Sequence, residues 1–241
     1  MLTHVRRRQL LVAALAGAVS AALGVTLTAS HAAPTASDPT ELLTSAKTLA
    51  PLKAGVAYQA SSFPLPLRLT VTDPSWLGAQ FKTASHGRPA FGWVVVAHPP
   101  LDRPRGLLAI ETAFGSTGSV AATIADLRYG GSSLPQTHLG GVEFGAPAAV
   151  KVAGYAGQQF DGQVWGKFGH TFLPFNPHVR GPASPPDANH LRAGEAFRFV
   201  VLDVRGKTVV LGFESLGLPA ERFPAFLATT SRLLKSLSFP A

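Results

Sequence analysis

The segment AFRFVVLDVRGKTVVLGFESL, residues 196–216, constrains the fold more than any other part of the chain. Two runs rich in β-branched and aromatic residues flank the dipeptide Arg205-Gly206, a pattern typical of a β-hairpin. Phe199 and Val200 must point to opposite sides of the first strand, because side chains alternate along a strand. Both are apolar, whereas the strands of a sheet with one solvent-exposed face alternate apolar and polar residues. We therefore expect an antiparallel sheet that is covered on both faces.

Two amphipathic segments predict helices for these covers. The run STGSVAATIADLRYGG, residues 116–131, places Val120, Ile124 and Leu127 on one helical face. Near the C-terminus a helix should start close to Arg222, because Pro224 is tolerated only in a first turn. Its predicted buried stripe comprises Phe223, Leu227, Thr230, Leu234 and Leu237. The predicted fold class is α+β, an antiparallel sheet covered by helices on both faces.

Alternation of apolar and polar residues predicts a strand over residues 67–71. Further strands are predicted over residues 90–98 and 105–114, and over 149–166 as two short strands or one bent strand. Residues 130–148 are predicted to be a Gly-rich loop. At the start, Asp38 can cap a short helix, since Pro39 suits the first helical position and Glu41 lies three residues after the cap. Pro51 should end that helix.

The N-terminus has the three parts of an export signal. Basic residues come first, then an Ala- and Leu-rich run, then the small-residue site Ser30-His31-Ala32, so cleavage after Ala32 is expected. The run Arg7-Arg8-Gln9-Leu10-Leu11 partly matches a twin-arginine signal, and both the Tat and Sec routes stay open. An uncleaved anchor is the alternative, because the apolar run approaches the ~18 residues that can span a bilayer.

These features predict a domain organisation. It comprises a signal peptide over 1–32, a leader and short helix over 33–50, and one α+β domain over 51–241 with a long Pro-rich loop at 167–195. After cleavage we expect a secreted or extracytoplasmic monomer of the cell envelope with no stable membrane insertion.

Composition excludes several classes of function. The chain has no cysteine, which rules out disulfides, thiol catalysis and cysteine-based metal sites. Three of the 21 Lys and Arg and none of the 13 Asp and Glu lie before residue 33, so the rest of the chain carries a formal charge of +5. Its basic residues are scattered rather than clustered, and nucleic-acid binding is not expected.

Several motifs resemble a set of uncharacterised exported bacterial proteins with a PsbP-like fold. They are GVAYQASSFPLPLRLTV, VAGYAGQQFDG, FRFVVLDVRGKTVVL and FPAFLATTSRLLKSLSFP, within residues 54–240. The resemblance implies a PsbP-like sandwich that ends in a helix and Ser-x-x-Phe, here Ser236 to Phe239. It brings no catalytic residues and implies a binding or accessory domain outside the membrane.

The loop HTFLPFNPHVRGPASPPDANH, residues 170–190, supplies the candidate ligand-binding residues. Loops longer than about 15 residues within a domain are usually functional or disordered. Its apolar and basic side chains can contact a small molecule or a cell-envelope protein beside the sheet. The predicted ligand-binding residues are His170, Phe172, Phe175, His178 and Arg180. A second interpretation stays open, in which Phe172 and Phe175 pack against an end of the sheet, because exposed apolar clusters are usually covered.

No motif predicts an enzyme, a metal site or a cofactor. The carboxylates Glu111, Asp161, Asp203 and Glu214 lie on predicted strands, where two could form an acid–base pair, or Arg198 could neutralise one of them. His170, His178 and His190 match no compact zinc spacing. We therefore predict an exported, non-enzymatic binding or accessory protein without metal or cofactor. The alternative is a hydrolase with an unrecognised carboxylate and histidine site.

Overall fold

The computed structural model describes residues 38–44, 49–85, 88–97, 106–112, 119–130, 140–166, 170–171, 190–215 and 220–241. These residues form short helices and many strands. The strands are β1 Thr40–Glu41, β2 Ala50–Pro51, β3 Ala57–Ala60, β4 Leu67–Thr70, β5 Leu77–Ser85, β6 Arg88–Ala97, β7 Leu107–Thr112, β8 Gly140–Phe144, β9 Ala148–Val152, β10 Tyr155–Gly166, β11 His170–Thr171, β12 His190–Leu191, β13 Ala196–Val204 and β14 Lys207–Glu214. The helices are α1 Val120–Ala125, continued by a π-helical turn Asp126–Gly130, and α2 Phe223–Ser236, preceded by a 3₁₀ turn Ala220–Arg222.

The described strands form three sheets. The largest has the order β2-β5-β6-β7-β14-β13-β10-β8, with β9 paired to β10 beside β8. All of its ladders are antiparallel. A smaller sheet has the order β1-β3-β4, in which β1 pairs with β3 in parallel. The third sheet is the two-residue pair β11–β12.

The predicted hairpin is confirmed as β13–β14. Arg205 and Gly206 have φ values of 56° and 76°, the left-handed geometry that both central residues of a type I′ turn require. The carboxylate of Asp203 accepts a hydrogen bond of 2.8 Å from the backbone N–H of Gly206. This bond pins the turn and so fixes the register in which Phe199 lies opposite Gly212.

Both faces of this hairpin are buried, as predicted. Phe199 is 1% exposed and belongs to an apolar cluster on one face, whereas Val200 is 2% exposed and belongs to a second cluster on the opposite face. On the Phe199 face, Ile124 and Leu127 of the α1 segment complete the cluster. The Val200 face is covered by α2, by the small sheet and by the chain between β3 and β4.

The predicted fold class is wrong, because helices do not cover both faces of one sheet. The described chain consists mainly of strands in three sheets, with only two short helices. Apolar side chains of the small sheet, such as Tyr58, Leu67 and Leu69, fill much of the core on the Val200 face. A strand pair buries an apolar row as effectively as a helix does, so two apolar faces on the hairpin do not determine what covers them.

Two local predictions are also wrong. Residues 40–41 form a strand rather than the predicted short helix, and the predicted Gly-rich loop contains β8. Within the predicted loop 167–195, residues 170–171 and 190–191 form the β11–β12 pair, and residues 172–189 lie outside the described residues. In the β11–β12 pair, His170 lies opposite Leu191. The predicted signal peptide, residues 1–32, lies outside the described residues.

The C-terminal helix starts where the sequence predicts, at Phe223 after Arg222. Its buried residues are Phe223, Phe226, Thr230 and Leu233, followed by Leu237. Leu227 and Leu234, which were predicted to be buried, are half-buried. The stripe is therefore rotated slightly from the predicted one. No helix within the described ranges is long and apolar enough to cross a bilayer.

The C-terminal tail closes onto β4 near the beginning of the described chain. The hydroxyl of Ser236 accepts a hydrogen bond of 2.9 Å from the Thr70 N–H and lies 2.9 Å from the Thr70 carbonyl oxygen, to which it can donate. Arg68 and Ser238 then exchange two backbone hydrogen bonds of 2.9 Å. The tail thus acts as a further partner for β4, and its residue Phe239 is buried in the core on the Val200 face.

Candidate functional site

The predicted ligand-binding residues Phe172, Phe175, His178 and Arg180 lie outside the described residues. His170 is placed in β11, opposite Leu191 of β12. The same register puts His190 opposite Thr171, so the two histidines are not a cross-strand pair. These five residues therefore stay a prediction.

Among the described side chains, the strand carboxylates Asp161, Asp203 and Glu214 do not form the acid–base pair of the hydrolase alternative. In glycosidases the two catalytic carboxyl groups face the same site and are about 5–9.5 Å apart. Asp161 and Glu214 face opposite sides of the large sheet, because their neighbours Phe160 and Phe213 belong to the clusters on opposite faces. Asp203 lies opposite Thr208, six residues from Glu214, which is roughly 20 Å along β14.

Each of these carboxylates has a distinct place in the fold. Asp203 holds the hairpin turn, and Glu214 is 1% exposed at the end of β14. Glu111 lies at a position of β7 opposite Val210. The described part of the chain contains no group of three or more His, Cys, Asp or Glu side chains arranged to hold a metal ion.

Arg198 does neutralise one carboxylate, as the sequence suggested. Its Nε–H and Nη2–H groups donate hydrogen bonds of 2.6 and 2.8 Å to the two carboxylate oxygens of Asp161, directly across the β10–β13 ladder. The hydrogen bonds to Asp161 raise the pKa of Arg198 above its ordinary value, although burial opposes this shift. Side-chain exposures of 27% for Arg198 and 55% for Asp161 leave both groups open to solvent.

This ion pair belongs to an exposed row of side chains on the Val200 face of the large sheet. Residues 161, 163 and 165 of β10 share a face, because Phe160 and Val164 point into the cluster on the opposite face. Gln163 lies opposite Glu143 of β8, and both side chains are exposed. We call the row Glu143, Asp161, Gln163, Trp165 and Arg198 the polar strip.

Trp165 is the most unusual member of the polar strip. It is 41% exposed, whereas Trp76 is 1% exposed in the core. Its cross-strand neighbour on β8 is Gly141, which has no side chain to cover the indole. Among the described residues, the indole N–H has no hydrogen-bond partner. Trp165 thus presents a large apolar ring and an available donor to solvent.

The strand that carries the strip is held firmly. β10 is hydrogen-bonded to β13 on one side and to β8 and β9 on the other. Gly162, between Asp161 and Gln163, is covered on the opposite face by Phe197, whose ring would lie 2.2 Å from an added Cβ atom. Side chains on such a strand keep their spacing when a ligand binds, which limits the ordering entropy lost.

A second polar cluster joins the small sheet to β5. Glu41 accepts hydrogen bonds from the Ser61 N–H at 2.9 Å, from the Ser61 hydroxyl at 2.7 Å and from the Gln80 amide. Burial is the largest single effect on the pKa of Glu41 and raises it, but the combined hydrogen bonds from Ser61, Gln80 and Gln59 lower the pKa below its ordinary value of 4.5. These hydrogen-bond donors are used within the cluster, so its role is structural: it connects the small sheet to β5.

Sequence reasoning missed Trp165 and the polar strip. It left open whether residues 149–166 form two short strands or one bent strand, so it assigned no face to residues 161–165. The alternation of Phe160, Gly162 and Val164 with polar residues was the signal that could have found the strip. Recognising it requires β10 to run unbroken through Gly162, which pairing with β8 and β13 permits.

Comparisons with known proteins show no family for this chain. No family model matches it, and no curated protein matches it. A similar solved structure is that of LpqN, involved in cell envelope biogenesis of Mycobacterium tuberculosis, with 15% sequence identity and a TM-score of 0.32 over 80% of this chain and 91% of that chain. A TM-score this low carries no argument about fold or function. No match confirms the resemblance to PsbP-like proteins, and the sandwich that the resemblance implied, with helices on both faces of one sheet, is contradicted by the three sheets of the structure.

Proposed function

We propose that the chain is an exported, non-enzymatic binding or accessory protein of the cell exterior and that the polar strip is its binding surface. The observation that carries the proposal is Trp165, a large aromatic side chain that is 41% exposed on β10, opposite Gly141 of β8. Aromatic residues are enriched among the side chains that dominate binding energies, because they bury much area with little loss of rotamer freedom. The hydrolase alternative has no supporting observation among the described residues.

The position of the strip also fits the loop that the sequence singled out. β10 ends at Gly166, one residue before the predicted loop 167–195 begins. A ligand on Trp165 would therefore lie next to the start of that loop. Export rests on the Arg-rich start, the apolar run and the site Ser30-His31-Ala32. We propose that the exported form is monomeric and does not remain inserted in the membrane.

Fractionation of cells that express the full chain tests the export part. The protein should appear outside the cytoplasmic membrane with its N-terminus at or near Ala33. Replacing Arg7 and Arg8 by Lys should stop Tat export and leave Sec export largely intact. Full-length protein that stays in the cytoplasm would contradict the proposal.

Co-sedimentation with washed envelope fragments of the native host tests the binding part. The purified protein should pellet with the fragments, and Trp165→Ala should pellet less. Leu43→Ala is the matched control, because Leu43 is a similarly exposed apolar side chain, at 46%, outside the strip. The binding proposal fails if wild-type protein stays in the supernatant, or if the two variants pellet equally.

A further inference from the structure

We infer, on the basis of the proposed function above, that the polar strip binds a neutral, hydroxyl-rich carbohydrate chain whose sugar ring stacks on Trp165. The face of an indole carries a negative quadrupole, so it attracts the weakly positive C–H groups that line one face of a pyranose ring. Among the described residues, the cross-strand neighbour of Trp165 on β8 is Gly141, which has no side chain to take this stacking position.

The remaining members of the strip provide hydrogen bonds of the kind that hydroxyl groups need. A sugar hydroxyl has one donor and two acceptor sites. The Asp161–Arg198 pair uses two of the five guanidinium N–H groups and one lone pair on each carboxylate oxygen, so both donors and acceptors are left for a ligand. Gln163 adds an amide with both functions, and Glu143 adds acceptors.

The charge of the strip favours a neutral ligand. Glu143 and Asp161 are acidic and Arg198 is basic, so the five side chains carry a net charge of −1. Such a surface repels phosphate and sulfate groups weakly and offers no cationic cluster for anionic lipids or nucleic acids. It also lacks the dense negative charge that attracts strongly basic segments.

The position of the strip favours a sugar chain over a peptide. Extended peptides bind to sheet edges, where free backbone groups continue the ladder, or dock apolar side chains into grooves. Along the strip the backbone of β10 is paired with β8 on one side from Gly162 onward. On the other side it is paired with β13 as far as Gln163, after which Val164 exchanges backbone hydrogen bonds with Gly194 and Glu195. A ligand on this face meets side chains alone. From Asp161 to Trp165 the strip spans roughly 14 Å, four residues of a strand, which accommodates several linked sugar rings.

Selective destruction of envelope components tests this inference. Washed envelope fragments of the native host are divided into untreated, periodate-oxidised, protease-treated and solvent-delipidated portions, and each is quenched before the purified protein is added. Periodate cleaves vicinal diols of sugars and leaves peptide backbones intact. Wild-type protein should pellet with the protease-treated and delipidated portions and lose at least about tenfold in apparent affinity for the oxidised portion, as expected for loss of a dominant contact.

Variants locate the effect on the strip. Trp165→Ala and Gln163→Ala should each weaken binding to untreated fragments, Trp165→Phe should retain much of it because a ring remains, and Leu43→Ala should match wild type. Circular dichroism and a denaturation midpoint equal to wild type show that each variant is folded. Binding that survives periodate, or that protease or delipidation abolishes, overturns the carbohydrate inference while the binding function stands. Absence of binding to every portion overturns both.

Discussion

Truncation of Phe199 tests whether the large sheet is buried on the α1 side. Phe199 is 1% exposed, and its ring centroid lies 5.7 Å from that of Phe160 and 5.4 Å from that of Phe197. Removing the ring forfeits about 2–3 kcal/mol of apolar burial. The two ring contacts add about 1–2 kcal/mol. Phe199→Ala should therefore lower the free energy of unfolding by about 3–5 kcal/mol, the range for such substitutions in cores.

Val200→Ala is the companion variant for the other face. Val200 is 2% exposed, and loss of two buried methyl groups should cost more than about 1 kcal/mol. Equilibrium urea unfolding at pH 7, followed by far-UV circular dichroism, measures both values. Leu43→Ala, at an exposed position, should change the stability by no more than about 0.5 kcal/mol. If the free energy of unfolding falls by less than about 1 kcal/mol for Phe199→Ala, or not at all for Val200→Ala, one face of the sheet is exposed to solvent and the reasoning is refuted.

Three further outcomes follow from the fold. Because the pKa of Glu41 is held below its ordinary value of 4.5, its carboxylate stabilises the fold at neutral pH, and this stabilisation is lost as the pH falls through the lowered pKa. The difference in free energy of unfolding between wild type and Glu41→Gln should therefore be present at pH 7 and shrink in acid. A difference that widens in acid would contradict this direction of the pKa shift. Gly162→Ala should cost about 1–3 kcal/mol in urea unfolding, because its Cβ would lie 2.2 Å from the ring of Phe197; unchanged stability would show that the ring moves aside freely. Ser236→Ala should cost about 1 kcal/mol and lower the Tm, because it removes the hydroxyl hydrogen-bonded to Thr70; an unchanged Tm would mean that water replaces it.

The hairpin was predictable because local and tertiary signals agree there. Its strands alternate on both faces, and Arg205-Gly206 suits a tight turn. The strand at residues 40–41 was not predictable, because there the local and tertiary signals disagree. Asp38, Pro39 and Glu41 form a helix-start pattern, yet burial of Leu42 and the hydrogen bonds that Glu41 accepts hold this segment as a strand against β3. Contacts between residues far apart in sequence override a local capping preference.

Only one ion pair of the candidate site could be predicted from the sequence. Opposite charges at Asp161 and Arg198 suggested neutralisation, and the register of β10 against β13 places them face to face. The exposure of Trp165 depends on a neighbour, Gly141, that lies in a segment predicted to be a loop. A residue's exposure in a sheet is set by the adjacent strand, and strand neighbours separated by 24 positions cannot be read from local periodicity.

The closure of the tail onto β4 has a consequence for the timing of synthesis. Arg68 pairs with Ser238, which lies 170 positions later in the sequence, and Phe239 belongs to a core that includes Leu42. β4 pairs with β3 in the N-terminal half of the chain, but its other edge bonds to the tail, and the core beside it includes Leu237 and Phe239 of the tail. Contacts of such long sequence separation also slow folding, because a long loop must close before they form. Folding of this part of the core therefore cannot be completed until residues 236–239 have been synthesised.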